Sequence, residues 1–377
     1  TLERMRNLME ELGNPQDSLK FIHIAGTNGK GSTAAMIAKM LEASGKRVGL
    51  FVSPYIHSFT ERIQINSRPI PESTLARLTR KLLPYQDNLT AFEAVTALGF
   101  CYFMQEQCDW VVLEVGLGGR FDATNIIKNP ALSVLTHIDL DHTELLGNTV
   151  EKVAQEKCGI IRPEGTVVTT PQQHPEALKV IRRVCAQNRA SLRIAKAVTI
   201  ETECRGKLEI RQGDHVYALG MTAHYQAENA ATALCVAECL GLSQEERRHG
   251  LLRAVMPGRF EWRNPHLLLD GAHNPNGLIA LYNCLVRVSV PEEVCLILGM
   301  LPDKNREDAL PFLRRVSDKI IVVPVHNARG DNGKALLRAV KKYWKDATLA
   351  PDVKTAIAQA DRDVAVVCGS LYLIGEI

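Results

Sequence analysis

At 377 residues, 46% hydrophobic and 23% charged, the chain has the length and composition of a folded globular protein with room for two cores. A formal net charge of +3 argues against a nucleic-acid binder or a protein held on an anionic membrane surface, no apolar run reaches membrane-spanning length, and no signal-peptide pattern is legible. Ten cysteines without a C-x-x-C pair, several in apolar runs (Cys101, Cys235, Cys239, Cys295, Cys368), point to buried free thiols in a reducing, cytoplasmic compartment rather than to a disulfide frame or a zinc site.

In chain order, an amphipathic helix over 2–12 ends at Gly13. An apolar strand then meets a Gly-rich turn in FIHIAGTNGKGS (21–32), and a helix over 33–43 closes at Gly45. A strand over 48–52 runs into Ser53-Pro54, an alternating extended segment follows over 60–66, and helices are expected over 72–83 and 91–105. The nearly all-apolar run 110–115 reads as a buried parallel strand with Glu114 near its end. A strand over 132–138 leads to a loop holding Asp139, Asp141 and His142, and a helix over 150–158 ends at Gly159. Strand 166–170, helix 176–188 and strand 192–194 extend the alternation. Turn signals at Arg205-Gly206 and Gly213-Asp214 make 204–219 an antiparallel hairpin. Helices over 227–240 and 245–255 precede a Pro/Gly-flanked break, MPGRFEWRNP (256–265).

Beyond the break the alternation restarts: strand 267–270, helix 277–288, strand 294–300, helix 308–316, strand 320–325, helices 334–344 and 353–360, strand 364–368. The fold class is therefore α/β, with a doubly wound, mostly parallel P-loop domain over 1–257, a linker over 258–265, and a smaller Rossmann-like α/β domain over 266–377. The chain starts at Thr1 and ends at Ile377 in an apolar run, so trimmed residues are expected at both ends.

Three glycines, Gly26, Gly29 and Gly31, let the turn after the first strand bring backbone N–H groups toward one point, and the next helix adds its positive end. Lys30 supplies a mobile charge for outer phosphates, although the spacing is not the standard Walker one. Glu114, at the carboxyl end of a parallel strand, can hold Mg²⁺ beside a nucleotide. Gly116, Gly118 and Gly119 permit close backbone approach; Asp122 and Asn125 can cap the next segment or bind substrate. His142 is placed for metal or phosphate contact with Asp139 and Asp141 orienting it. Taken alone, Lys157 reads as a solvent-exposed helix lysine. In DGAHNPNG (270–277), Asn274 caps a helix that opens on Pro275, which leaves Asp270 and His273 to face the first domain across a cleft. Arg259 can reach phosphates or pin the domains together. The set suits the ATP-driven joining of two substrates, with domain closure shielding an acyl phosphate from water.

GTNGKGS, SPYIHSFTERIQIN, LTAFEAVTALGF, EVGLGGRFDATN, DHTELLGNT, EKCGIIRPEG, MPGRFEW and DGAHNPNG together resemble the folylpolyglutamate synthase/dihydrofolate synthase family of the Mur ligase superfamily, in the family's order and over nearly the whole chain. The resemblance implies ATP-dependent addition of L-glutamate to a folate or pteroate carboxylate. It implies that Gly26, Thr27, Asn28, Gly29, Lys30, Gly31 and Ser32 bind ATP phosphates, that Ser53 and Glu114 hold one Mg²⁺, and that His142 holds a second. Lys157 of the EKCGI motif would carry a carbamate, turning a cation into an anion and reversing the surface reading. Lys30, Glu114, His142 and Lys157 form the implied catalytic set. Asn229, Arg259 and Asp270 would contact ATP. The pterin or folate would lie near Thr90, Ala91, Phe92 and Glu93 and near Phe121, Asp122 and Ala123, with His273 and Asn274 on the glutamate side. Tyr55, Ser67 and Cys158 depart from the family's usual residues without removing an implied ligand. The enzyme is expected to act as a monomer on small molecules, with neither nucleic acid nor membrane as partner.

Three alternatives remain at this point, one of them a catalytically inactive binding module, against which intact Lys30, Glu114 and His142 argue. A cell-wall ligase of the same superfamily would carry a separate nucleotide-binding domain ahead of the loop, yet only about 20 residues of this sequence precede it. A P-loop switch protein would leave the second α/β domain and 270–274 without a task.

Overall fold

Strand β1 (Phe21–Ala25) has no exposed residue and lies inside an eight-stranded sheet. The other strands are β2 (Val48–Phe51), β3 (Ile63–Ile65), β4 (Arg68–Pro69), β5 (Trp110–Glu114), β6 (Leu132–Leu135), β7 (Thr166–Thr169) and β8 (Ser191–Ile194). Their spatial order is β4-β3-β2-β5-β1-β6-β7-β8. From β2 to β8 every pairing is parallel, while β3 and β4 add an antiparallel edge. Strands with both faces covered must be apolar on both, which is why the central runs show no alternation. Edge strand β4 is two residues long and ends in Pro69, which limits further pairing. This computed structural model describes residues 2–302, 310–326, 330 and 332–377.

The chain divides into two compact units: Thr1–Thr199, Gln212–Tyr217 and Ala227–Val255 in the first, and Ile200–Arg211, Ala218–Gln226 and Met256–Ile377 in the second. In the first unit one core gathers Met5 and Met9 of helix Glu3–Glu11 with Phe21, Phe51, Phe100, Phe103 and Leu113. Another gathers Ala25, Leu135 and Ile138 with Val153, Ile181 and Val184. The division passes through a three-stranded sheet, β9 (Thr199–Cys204), β10 (Lys207–Gln212) and β11 (His215–Leu219), in the order β11-β10-β9. The expected hairpin is thus a strand longer, because Thr199, Ile200 and Thr202 favour extension.

The second unit has its own six-stranded sheet. Its strands are β12 (Glu261–Asn264), β13 (Leu267–Asp270), β14 (Val294–Leu298), β15 (Lys319–Val322), β16 (Thr348–Leu349) and β17 (Val364–Cys368), in the order β12-β13-β17-β14-β15-β16. All pairings are parallel except β12 with β13. The stretch expected to link two domains, 258–265, therefore contains a strand. Phe260 is buried and Trp262 packs on the core, their rings edge-to-face at 6.2 Å.

Other differences have local causes. The first half of 60–66 is a 3-10 turn, Phe59–Arg62, because the Glu61 carboxylate collects the Ile56, His57 and Ser58 N–H groups. The helix expected over 334–344 ends at Val340, and buried Trp344 donates Nε1–H to the Ser317 carbonyl instead of continuing a helix. Of the helix expected over 308–316, Leu310–Leu313 is seen, and its start lies outside the described residues. All ten cysteines are free; Cys204 is exposed at the end of β9, and Cys101 and Cys239 are half-buried, contrary to expectation. Among the described residues, no helix is long and apolar enough to cross a membrane.

Candidate active site

The turn after β1 leads directly into helix Lys30–Ala43, with Gly29 left-handed at its N-cap (φ 85°). Both ends of this turn exclude a side chain. A Cβ on Gly26 would lie 1.9 Å from Thr136 Oγ1, and one on Gly29 would lie 2.1 Å from Asn229 Oδ1. Asn229, on helix Gln226–Cys239, thus abuts the loop. Thr27 and Asn28 donate their N–H groups to the His137 carbonyl at 2.8 and 3.2 Å. The Thr27 hydroxyl donates to the Asp139 carbonyl (2.9 Å) and accepts from the Asp139 N–H (3.1 Å). The tips of β1 and β6 are therefore tied together. Gly31 and Ser32 lie in the first helical turn, with Ser32 buried.

Two ammonium groups converge on one carbonyl. Lys30 Nζ donates to the Gly26 oxygen at 3.0 Å and to the Thr27 oxygen at 3.2 Å, and Lys157 Nζ donates to the same Gly26 oxygen at 2.8 Å. Lys157 ends helix Val150–Lys157 and is 4% exposed, against the surface position expected of an isolated helix lysine. Burial, and then the charge of Lys30, push its pKa down to about 7, with Asp141 and Asp122 pulling the other way.

Glu114 is buried at the tip of β5, and its Oε2 accepts the Ser53 N–H at 3.0 Å, so two of the expected metal ligands are neighbours. Carboxylate and hydroxyl oxygens suit a hard divalent ion. His142 is exposed and left-handed (φ 47°); its N–H donates to Asp141 Oδ1, and its ring lies 3.7 Å from the Asp141 carboxylate. Asp139 accepts the Leu140 N–H, shaping the loop. Among the described residues, no group of three or more His, Cys, Asp or Glu side chains is placed to hold a metal.

Thr90 and Glu93 form a reciprocal capping box at the start of helix Ala91–Gln105. Glu93 is buried, which pushes its pKa up, but hydrogen bonds from Thr90 and the nearby Arg4 hold it below the ordinary value. Ala91 is exposed in the first turn. The Phe92 ring sits where a Gly116 side chain would project, 2.4 Å from its Cβ position, so 90–93 and 116–123 adjoin. Phe121 is 63% exposed, with the Arg120 guanidinium 5.0 Å from its ring centre. Asp122 and Ala123 are buried; Asp122 caps the short turn Ala123–Ile126 and accepts the Leu117 N–H. Burial raises the Asp122 pKa against those hydrogen bonds.

Asn125, left open between capping and binding, is structural: its amide donates to the Arg120 and Gly159 carbonyls and accepts from Arg162. Arg162 also donates to the Lys128, Gly159, Asn125 and Ile127 carbonyls. Reading the sequence missed Arg162, Arg4 and His23. A single polar residue inside an apolar stretch is the available signal for His23.

In the second unit, Asp270 ends β13 fully enclosed. Its carboxylate accepts the Phe260 and Ala272 N–H groups, both at 2.8 Å, and the Tyr225 hydroxyl. Burial pushes its pKa up to about 6, with Arg259 opposing. His273 donates Nδ1–H to the Gly271 carbonyl at 2.9 Å, and Asn274 caps helix Pro275–Val288 by accepting the Gly277 N–H at 2.7 Å.

The chain matches the Mur ligase middle domain over residues 24–237 and the Mur ligase glutamate ligase domain over 258–371, the pairing of a Mur-type amino-acid ligase. The dihydrofolate synthase/folylpolyglutamate synthase of Bacillus subtilis is 34% identical, aligned over 100% of this chain and 94% of that protein. The folylpolyglutamate synthase of Lacticaseibacillus casei is 35% identical over 99% and 92%. The crystal structure of folylpolyglutamate synthase from Thermotoga maritima superposes with a TM-score of 0.91 at 36% identity, covering 99% of this chain and 91% of that one. The chain belongs to the folylpolyglutamate synthase/dihydrofolate synthase family. A related E. coli enzyme, solved in complex with DHPP and ADP, superposes with a TM-score of 0.87 at 29% identity over 99% and 91% of the two chains.

Proposed function

We propose that this chain is an ATP-dependent ligase that joins L-glutamate to the carboxylate of a folate, and of dihydropteroate, through an acyl phosphate. The observation that carries the reading is the pair of ammonium groups, Lys30 and Lys157, drawn to the carbonyl of a loop with no room for side chains at Gly26 and Gly29. Residues 26–32 would bind the ATP phosphates, with Lys30 neutralising their outer charge and Asn229 bordering the loop. Glu114 and Ser53 are the oxygen donors that would hold Mg²⁺, and His142 beside Asp141 is assigned to a second ion. Bound there, Mg²⁺ would offset phosphate charge during transfer.

A folate carboxylate oxygen attacks the γ-phosphorus and ADP leaves; the glutamate amine then attacks the acyl carbon and phosphate leaves. The chain's part is to align these groups and exclude water. Residues 90–93 and Phe121, Asp122 and Ala123 are assigned to the pterin or folate. In the second unit, Arg259 and Asp270 are assigned to ATP, Asp270 by shaping its loop, and His273 and Asn274 to glutamate. Lys157, held partly neutral near pH 7, retains a lone pair that can add carbon dioxide and lose a proton, giving a carbamate. The free thiols fit a cytoplasmic enzyme, and a monomer suffices for these roles.

The test is an assay with ATP, Mg²⁺ and glutamate against dihydropteroate and tetrahydrofolate separately. ADP release that requires both glutamate and a pterin acid supports the ligase. Release that needs neither would make the protein a nucleotide switch, and turnover of only one acceptor would define which half of the activity it has.

A further inference from the structure

His23 interrupts the otherwise apolar β1 and is fully buried. Its Nε2 lies 2.9 Å from Thr124 Oγ1, which lies 2.6 Å from Asp122 Oδ1. Asp122 is the accepting end of this chain: it also takes the Thr124 N–H on Oδ1 and the Leu117 N–H on Oδ2, and it accepts from the Gly116 N–H. A hydroxyl has one proton, and Thr124 gives it to Asp122, so the hydroxyl oxygen must accept from His23 Nε2–H. The tautomer is thereby fixed, and Nδ1 is an unprotonated, buried acceptor with no hydrogen-bond partner among the described residues. Burial, and then Arg162, push the imidazole pKa down to about 3, so the ring is neutral throughout the working range.

Stability alone does not account for this imidazole. An aliphatic side chain would occupy the strand without burying an unpaired nitrogen. What the imidazole adds is directional: one N–H aimed, through a hydroxyl, at the carboxylate that gathers the backbone of 116–124. That loop carries exposed Phe121, and its Arg120 N–H donates to the Glu156 carbonyl at 2.9 Å, beside Lys157.

We propose that His23 is a positioning residue for the folate-side loop: through Thr124 and Asp122 it holds residues 116–125 in the conformation that presents Phe121, and so sets the affinity for the folate but not for ATP. This rests on the assignment of Phe121, Asp122 and Ala123 to the folate. A merely structural role would not separate the two substrates, because β1 runs straight into the phosphate loop.

The experiment compares Thr124→Val with Thr124→Ser in the full chain. It reads KM for tetrahydrofolate, KM for ATP, and amide hydrogen exchange at Gly116, Leu117 and Thr124 without substrate. Thr124→Val is expected to raise the folate KM by about tenfold or more, the scale of losing a group that orients a ligand-binding residue. The ATP KM should stay within about twofold, and the loop amides should lose about tenfold in protection, with Thr124→Ser restoring each value to within about threefold. His23→Leu should match Thr124→Val, and a folded His23→Leu with wild-type folate KM and loop exchange would overturn the proposal; should it not fold, wild-type values in Thr124→Val would overturn it instead. Unchanged exchange in Thr124→Val, or an equal rise in both KM values, would overturn the proposal. Faster loop exchange with an unchanged folate KM would overturn it through its premise, showing a loop held as inferred that does not bind folate.

Discussion

The tips of β1 and β13 each lie at the carboxyl end of a buried strand in a mostly parallel sheet, yet they handle charge in opposite ways. At β13, Asp270 is enclosed by its own neighbours, with two backbone N–H groups, the Tyr225 hydroxyl and Arg259 answering one carboxylate. At β1, two ammonium groups share one neutral carbonyl, and among the described residues no carboxylate is hydrogen-bonded to Lys157 Nζ. The first arrangement is what a loop needs to hold its shape. The second buries Lys157 and crowds the half-buried Lys30 against it, with Asp141 and Asp122 opposing, and so lowers the Lys157 pKa, the kind of perturbation found at functional sites.

The strongest way to break the contrast is to remove the charge. Lys30→Ala is expected to lower kcat about a thousandfold or more while the melting curve by circular dichroism stays near wild type, and Glu114→Ala should behave alike. Near-normal turnover by either would place the chemistry elsewhere. Next is Gly29→Ala, which strains a left-handed residue and drives a methyl into Asn229. Calorimetric titration with a non-hydrolysable ATP analogue should show affinity reduced about a hundredfold, whereas wild-type affinity would mean the loop does not receive the nucleotide.

Lys157 sharpens the comparison through pH. Its folded pKa, about 7, lies below its unfolded value of 10.5, so the unfolded chain binds the extra proton between these limits. Stability should therefore rise with pH from about 7 toward 10.5 in wild type and lose this slope in Lys157→Met, read by denaturant titration. Over the same titration a carbamate signal from ¹³C-bicarbonate should grow as pH climbs through 7. Its absence from the wild-type protein at pH 8, or its persistence in Lys157→Met, would refute the modification.

Asp270 gives the smallest and opposite effect. Its folded pKa, about 6, is above the ordinary 3.8, so the folded chain holds the extra proton in that window. Its contribution should fade as pH rises from about 4 to 6, and Asp270→Asn should flatten that part of the stability curve while changing kcat by less than about tenfold. A loss comparable to that of Lys30→Ala would make Asp270 a direct ligand rather than a loop former.

Local features were legible in the sequence. Mostly apolar runs mark β1, β5, β6 and β13, the glycines and Lys30 mark the loop, and Asn274 before Pro275 marks a cap. The Thr90-to-Glu93 spacing also spelled a capping box, although only a substrate role was inferred there. Hidden were properties made by distant partners. Lys157 meets the carbonyl of Gly26 131 positions away, and nothing in its own helix announces its burial. Arg162 and Asn125 likewise matter through carbonyls that only the folded chain brings together. The strand at 261–264 escaped notice because proline and glycine around it read as a break, while its pairing with β13 depends on Phe260 and Trp262 finding the core.

The shared Gly26 oxygen bears on how nucleotide affinity is built. A phosphate oxygen that draws the Lys30 ammonium away from this carbonyl replaces an existing hydrogen bond instead of adding one, so the gain comes from charge and not from the number of contacts. Association should then weaken steeply as ionic strength rises, with a binding enthalpy well short of what a tally of polar contacts would suggest.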